Sequence, residues 1–247
     1  MYEEHPSCIE PENKNIKIWR FIDFSKFVSM LINNSLYFSG LKNMKDQFEG
    51  TYSNITLKKM KKAFQEKGIS EEILKRNFKE LPEMFSRLSF LNCWHMSEHE
   101  PSSMWKNYID TNQGIAIQST YRKLRDSFTK STDGINISQI KYIDYDRDEM
   151  KWGNMMETLI HKRINFSDER EIRSILIKAP VNTGRYNLND VPKGYHVPVD
   201  LDILIESITM APNASSWMFE LVNSVLEKFT LKKPVYKSKM DELPPNI

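Results

Sequence analysis

Apolar residues recur in short blocks along this chain, and the spacing within blocks switches repeatedly between two and three-to-four from residue 16 to residue 238. Residues 16–21 alternate apolar and polar positions, which predicts a strand. Asp23 is placed to cap a helix in which Phe24, Phe27, Val28, Leu31 and Ile32 share one face, and residues 36–39 return as a strand. Two amphipathic helices follow, one over 57–66 closed by Gly68 and one over 70–85 opened by Ser70 with Glu71 and Glu72 behind it. Residues 90–94 read as a buried strand, Ser102 as the cap of a short helix carrying Met104, Trp105 and Tyr108, and 114–118 as another strand. A helix over 121–128, a strand over 137–143, a helix over 152–161 and a strand over 172–177 come next. Beyond a polar loop at 180–194 lie short strands at 197–199 and 207–210 around a turn at 201–205. Trp217, Met218, Leu221, Val222, Val225 and Phe229 then predict a helix docked on the sheet, and 235–238 an edge strand.

This irregular order predicts an α+β fold: a single mixed sheet with helices on its faces and an inserted helical pair. Residues 1–15 are polar and proline-punctuated and predict an N-terminal arm that lies on the surface or frays. One domain is expected over 16–240, with a tail at 241–247.

Composition narrows the function classes. At 247 residues and 40% hydrophobic content the chain buries a substantial core, while 35 basic residues against 33 acidic ones leave no global field to recruit nucleic acid or an anionic membrane. Cys8 and Cys93 make no disulfide framework and fit a reducing compartment. With an acidic leading segment and no apolar run of membrane-spanning length, the expectation is a cytoplasmic protein without a membrane partner. Oligomeric state is left open.

Chemistry-bearing side chains concentrate in two distant segments. Residues 90–97 hold Cys93, Trp94, His95 and Ser97, and residues 161–173 hold His161, Lys162, Arg163, Glu169, Glu171 and Arg173. Each adjoins a strand-like run, so rigid elements are placed to aim both into shared space. A strand period of two puts Glu169 and Glu171 on one face with Arg173 beyond them, and the same charges read equally as a structural salt-bridge ladder. His95 and His99 stand four apart but lack the order of a zinc helix, so no metal is expected there. Asp46 and Glu49, joined to the glutamate pair, offer an oxygen-rich cluster for Mg²⁺ and phosphodiester cleavage, or else a simple turn with Phe48 packed below. Lys58, Lys59, Lys61 and Lys62 flank a helical stripe and read as a solvated face before a nucleic-acid patch. His161, Lys162 and Arg163 are candidates for phosphate binding at a helix end.

The pairs Trp19 and Arg20, Asp46 through Glu49, Cys93 with Trp94 and His95, Met104 and Trp105 with Tyr108, and Glu169, Glu171 and Arg173 together resemble a widespread bacterial family of unknown function. That family carries an Asp-Pro-Phe-Glu motif, a Met-Trp-x-x-Tyr motif and a Glu-x-Glu-x-Arg strand; here Gln47 replaces the proline. Its layout resembles in turn the ADP-ribosyltransferase fold. That resemblance implies NAD as co-substrate, with a transferase or glycohydrolase acting on nucleotide or nucleic-acid groups, in a toxin or phage-defence setting. It implies that Glu171 holds the nicotinamide ribose, Glu169 orients or deprotonates the acceptor, and Arg20 grips ribose or phosphate. Trp94, His95 and Ser97 would line the nicotinamide subsite, with Arg173 alongside. The alternatives are a Mg²⁺-dependent nuclease using Asp46, Glu49, Glu169 and Glu171, and a non-catalytic module that binds a ligand or protein.

Overall fold

β1 (Lys17–Asp23) opens the sheet, and the Asp23 carboxylate then accepts from the Lys26 N–H at 2.8 Å to start α1 (Phe24–Asn33). A computed structural model describes residues 1–108, 113–179 and 191–242. Asn34, in the left-handed region at φ 45°, closes α1 and turns the chain into β2 (Ser35–Gly40). The inserted helical layer starts at Asn54, capped by Ser53 and three residues before the apolar stripe suggests, and comprises α2 (Asn54–Glu66), α3 (Glu71–Lys75) and α4 (Leu81–Leu88). A π-helical turn, Arg76–Glu80, joins α3 to α4. Pro82, two residues after it, has no N–H to donate back, so the backbone widens there instead of running as one regular helix.

β3 (Ser89–Met96) is followed by α5 (Ser102–Tyr108), β4 (Gly114–Thr120) and α6 (Tyr121–Asp126). The strand expected over 137–143 is two strands, β5 (Asn136–Gln139) and β6 (Lys141–Ile143). Ile137 and Ile140 are both buried though three residues apart, which one strand's alternation forbids on a single face. The chain breaks there, and β6 pairs in parallel with β7 (His161–Arg163) to form a separate two-stranded sheet. The helix expected over 152–161 shrinks to one turn, α7 (Glu157–Ile160), because Gly153 sits at φ 95° and starts no helix. His161 caps that single turn, and His161, Lys162 and Arg163 form a strand directly after it.

β8 (Glu171–Ile177), β9 (Gly194–Pro198), α8 (Leu201–Leu204), β10 (Ser207–Met210), α9 (Ser216–Lys228) and β11 (Val235–Tyr236) complete the fold. Most of the loop expected at 180–194, and most of the tail at 241–247, lie outside the described residues. The N-terminal arm is pinned to the sheet: Tyr2 bridges Ile135, and the Gln139 N–H donates to Ile9 at 2.7 Å. No described helix is long and apolar enough to cross a membrane.

The main sheet runs β11-β10-β4-β1-β3-β2-β9, with β8 on the far edge of β3 and β5 beyond it. All its pairings are antiparallel except β10 with β11, so the α+β, mixed-sheet expectation stands. Ile18, Phe27, Leu31, Phe38, Trp94 and Val222 belong to the largest apolar cluster. On α9 the docked face is Met218, Val222 and Leu226, whereas Trp217, expected to dock, is 57% exposed. Leu226→Ala should accordingly cost about 2–5 kcal/mol in denaturant unfolding, and Trp217→Ala no more than about 0.5 kcal/mol. Equal losses would mean that Trp217 is held by a contact in solution.

Candidate active site at a fork in the sheet

One strand, β3, is claimed by three others. Its far edge is filled by β8, from Ser89 opposite Ile177 to His95 opposite Glu171. The near edge is shared: β1 pairs with its end through Ile18 with Met96 and Trp19 with His95, and β2 with its start through Ser39 with Leu91 and Gly40 with Phe90. Between those contacts β1 leaves toward β4 and β2 toward β9, and the sheet forks. Side chains take over where the ladder is interrupted. Arg20 Nη1 donates to the Cys93 carbonyl at 2.6 Å, and Asn92 Nδ2 donates to the Tyr37 carbonyl at 2.9 Å.

A cavity of about 750 Å³ opens at this fork, lined by residues of β1, α1, β2, β3, β8 and β9. That volume lies within the usual range for small-molecule sites. Among the residues singled out from sequence, Arg20, Trp94, His95, Glu169, Glu171 and Arg173 line it, as do Asp46 and Glu49; Ser97 does not. Ser97 instead donates to the His99 carbonyl at 2.7 Å in the turn after β3. Trp94 is 1% exposed, with its indole N–H on Asn92 Oδ1 at 2.8 Å, so it forms wall rather than a free stacking face.

The floor of the cavity is ionic and buried. Lys162 Nζ stands 3.1 Å from Glu49 Oε1, 2.6 Å from Glu169 Oε2 and 3.3 Å from Glu171 Oε2. Arg173, fully buried, clasps Glu171 through Nε at 2.8 Å and Nη2 at 3.1 Å, and sends Nη1 to the Leu159 carbonyl at 2.7 Å. The same Nη1 lies 3.0 Å from Glu49 Oε2, an ion-pair distance, but that buried oxygen receives no hydrogen bond. Three carboxylates thus face two cations. Asp46 stands aside from this count, paired with Arg163 at 2.7 Å and 3.1 Å while also accepting from the Phe48 N–H. Gly50, at φ 77°, makes the turn behind Glu49, where a Cβ would strike Leu41.

Glu171 and Glu169 reach Lys162 differently. Glu171 shares a cross-strand row with His95 and Trp19, as strand alternation predicts. Glu169 ends a 3₁₀ turn, Ile164–Glu169, and Arg170 in the left-handed region at φ 39° swings the chain onto β8. Burial would raise the Glu171 pKa, but Arg173 and Lys162 outweigh it and hold the carboxyl down to about 2. For Glu169 burial wins over Lys162, so its pKa is raised, and its side chain keeps 17% exposure against 5% for Glu171. Burial also lowers the His95 pKa, leaving a neutral imidazole whose Nδ1 sits 2.6 Å from the Glu169 carbonyl oxygen. Burial and then Glu171 push the Cys93 thiol up, which keeps it protonated.

Sequence reasoning missed the central role of Lys162, and missed Tyr37, Phe166 and His196 in the lining. The sequence marks Lys162 only for phosphate binding at a helix end; its place among the glutamates depends on the β7 strand, and three residues carry no periodic signal.

No protein-family model and no curated protein matches the chain. Among solved structures it is similar to Thermus sp. 2.9 DarT in complex with NAD+, at 9% identity and TM-score 0.42 over 94% of this chain and 99% of that one. The complex of the same protein with ADP-ribosylated ssDNA gives 9% identity and TM-score 0.42 over 95% and 99%. Likeness at this level assigns neither ligand nor activity.

Two outcomes test the ionic floor. Arg173→Met should destabilise by about 3–5 kcal/mol, because it strands buried carboxylates without their partner; a change below about 1 kcal/mol in urea unfolding would show the cluster to be wet and screened. Glu171 has a depressed folded pKa, so its stabilising contribution is complete above its ordinary value of 4.5 and is lost as pH falls toward about 2. The stability gap between wild type and Glu171→Gln should therefore be constant above that window and narrow within it. A gap independent of pH would sink the assignment.

Proposed function

We propose that the fork cavity binds NAD and that the chain is an ADP-ribosyltransferase-like transferase or glycohydrolase, part of the bacterial family its motifs resemble. One observation carries this reading: the cavity has a cationic rim and a floor with a net negative charge. Arg20 and Lys45 line the cavity together with Lys26, whose ammonium also pairs with Asp23 at 2.7 Å, and the three glutamates outnumber Lys162 and Arg173 at the floor. A dinucleotide with an anionic pyrophosphate and a cationic nicotinamide has the complementary polarity.

The chemistry follows from the floor. When the bond between nicotinamide and ribose breaks, nicotinamide leaves with the electron pair and positive charge develops on the ribose. Glu171, kept ionised by Arg173 and Lys162, supplies fixed negative charge close to that centre. Glu169 is the better candidate for the acceptor's proton, since it is more exposed and its raised pKa makes it the more basic carboxylate. The acceptor oxygen, from water or from a nucleotide or nucleic-acid group, then bonds the ribose carbon and its proton passes to Glu169. Neutral His95 borders the same space and is available to a carbonyl or hydroxyl of the ligand.

The Mg²⁺-nuclease alternative meets an obstacle in Lys162. Its ammonium already stands among three of the four acids that would have to hold the metal, and Arg163 takes Asp46. The test is nicotinamide release from NAD by the purified protein, followed by chromatography. Wild type should turn over, and Glu169→Gln should lose activity on the order of 10²–10³-fold while unfolding at the same temperature. Wild-type protein that neither binds nor cleaves NAD overturns the reading, and a fully active Glu169→Gln variant removes the role given to Glu169.

A further inference from the structure

Across the cavity from the acids, β2 and β9 present a second built surface that the glycosidic chemistry does not use. Tyr37 and His196 are cross-strand partners, and their rings meet edge to face at 5.3 Å between centroids. Both line the cavity, and both are exposed, Tyr37 to 41%. Two features fix them. Ser35 Oγ lies 2.9 Å from His196 Nδ1, so the imidazole is oriented through one nitrogen and the other is left to the opening. The tyrosine ring lies over Gly194, where any Cβ would strike its Cζ and hydroxyl. An aromatic pair exposed on a sheet yet held this firmly is arranged to receive something planar, since an edge-to-face pair offers a ring face to a third ring.

We infer that Tyr37 and His196 form a nucleobase subsite that takes the adenine end of the ligand, a step that rests on the NAD reading above. Geometry supports this end over the other. β8 and β2 flank β3 on opposite edges and β2 has parted from β3 before Tyr37, so at least two strand spacings, about 10 Å, separate the glutamates from Tyr37. A dinucleotide whose ribose–nicotinamide bond lies at the floor must carry its second base toward the rim. Arg20, in the fork between the two places, then stands beside the linking phosphates.

Calorimetric titration with adenosine monophosphate, nicotinamide mononucleotide and NAD separates the possibilities. Wild type should bind adenosine monophosphate, and Tyr37→Ala should weaken both it and NAD by about tenfold, the scale of one lost base-stacking contact, while leaving nicotinamide mononucleotide unchanged. Tyr37→Phe should retain the affinity, and a thermal melt of each variant checks that the fold is kept; His196→Gln repeats the test if Tyr37→Ala does not fold. The subsite is overturned if wild type does not bind adenosine monophosphate, if Tyr37→Ala leaves it and NAD unaffected, or if nicotinamide mononucleotide weakens in step. Adenosine monophosphate held through Tyr37 without any NAD cleavage would keep the subsite and remove the enzymatic reading.

Discussion

A β-strand has two edges, and β3 has three partners. β8 takes one edge along nearly its whole length, so β1 and β2, which both lie antiparallel to β3, must divide the other. Neither can extend its pairing without displacing the other. Each therefore turns away to a new neighbour, β1 to β4 and β2 to β9, and the space between them has no backbone to fill it. The cavity follows from this competition, as does the need for side chains such as Arg20 and Asn92 to satisfy carbonyls that a continuous sheet would have bonded. The α1 crossover is what keeps the fork open, since Lys26, Ser29 and Met30 of that helix border the cavity between the strands it links.

The charge cluster sits at the closed end of that fork because buried charges are tolerable only where several elements can bring partners together. Glu171 and Arg173 come from β8, Lys162 from β7, Glu49 from the turn after β2, and Glu169 from the 3₁₀ turn before β8. Burying any one of them alone would cost several kcal/mol. Together they leave one negative charge in excess, so the cluster is both a structural clamp and a fixed field directed at the cavity. Glu171 has both oxygens bonded by Arg173 with Lys162 beside them, whereas Glu169 is bonded by Lys162 alone and stays more exposed. Cationic partners therefore outweigh burial at Glu171 while burial outweighs Lys162 at Glu169, and two glutamates two residues apart have their proton affinities driven in opposite directions from the same starting value.

How much of this was legible in the sequence varies with how local the cause is. The β1, α1 and β2 unit was readable because alternation, the Asp23 cap and the apolar stripe all act within a few residues. Glu171 and Arg173 sharing a face was readable for the same reason. Glu169 reaches the same space, but through a 3₁₀ turn and a left-handed Arg170 that no period of two contains. The β6 and β7 pair escaped notice because strands of three residues are made by their partners, and Gly153 was the only local sign that the helix before β7 would be short. Arg20 shows the limit most plainly. It takes the opposite pleat phase from Trp19, the neighbour of His95, and would face away from Glu171 in a continuous sheet; it borders the same cavity only because the sheet splits beside it.

The fork also constrains what can occupy the site. A ligand entering between β1 and β2 meets cations and aromatic rings first and carboxylates last, and the Phe166 ring, with Lys162 Nζ 5.0 Å from its centroid, narrows the way to the floor. Solvent is thereby thinned around the acids, which strengthens their field on any cation that arrives and equally raises the cost of leaving them without one. Glu49 Oε2, buried beside Arg173 without a hydrogen bond, marks where that cost is concentrated. A floor built with a surplus carboxylate favours cationic and hydrogen-bond-donating partners. Under the NAD reading proposed above, one molecule carrying a cation and an anion at a fixed separation would meet both ends of the cavity, which a simple cation or a simple phosphate would not.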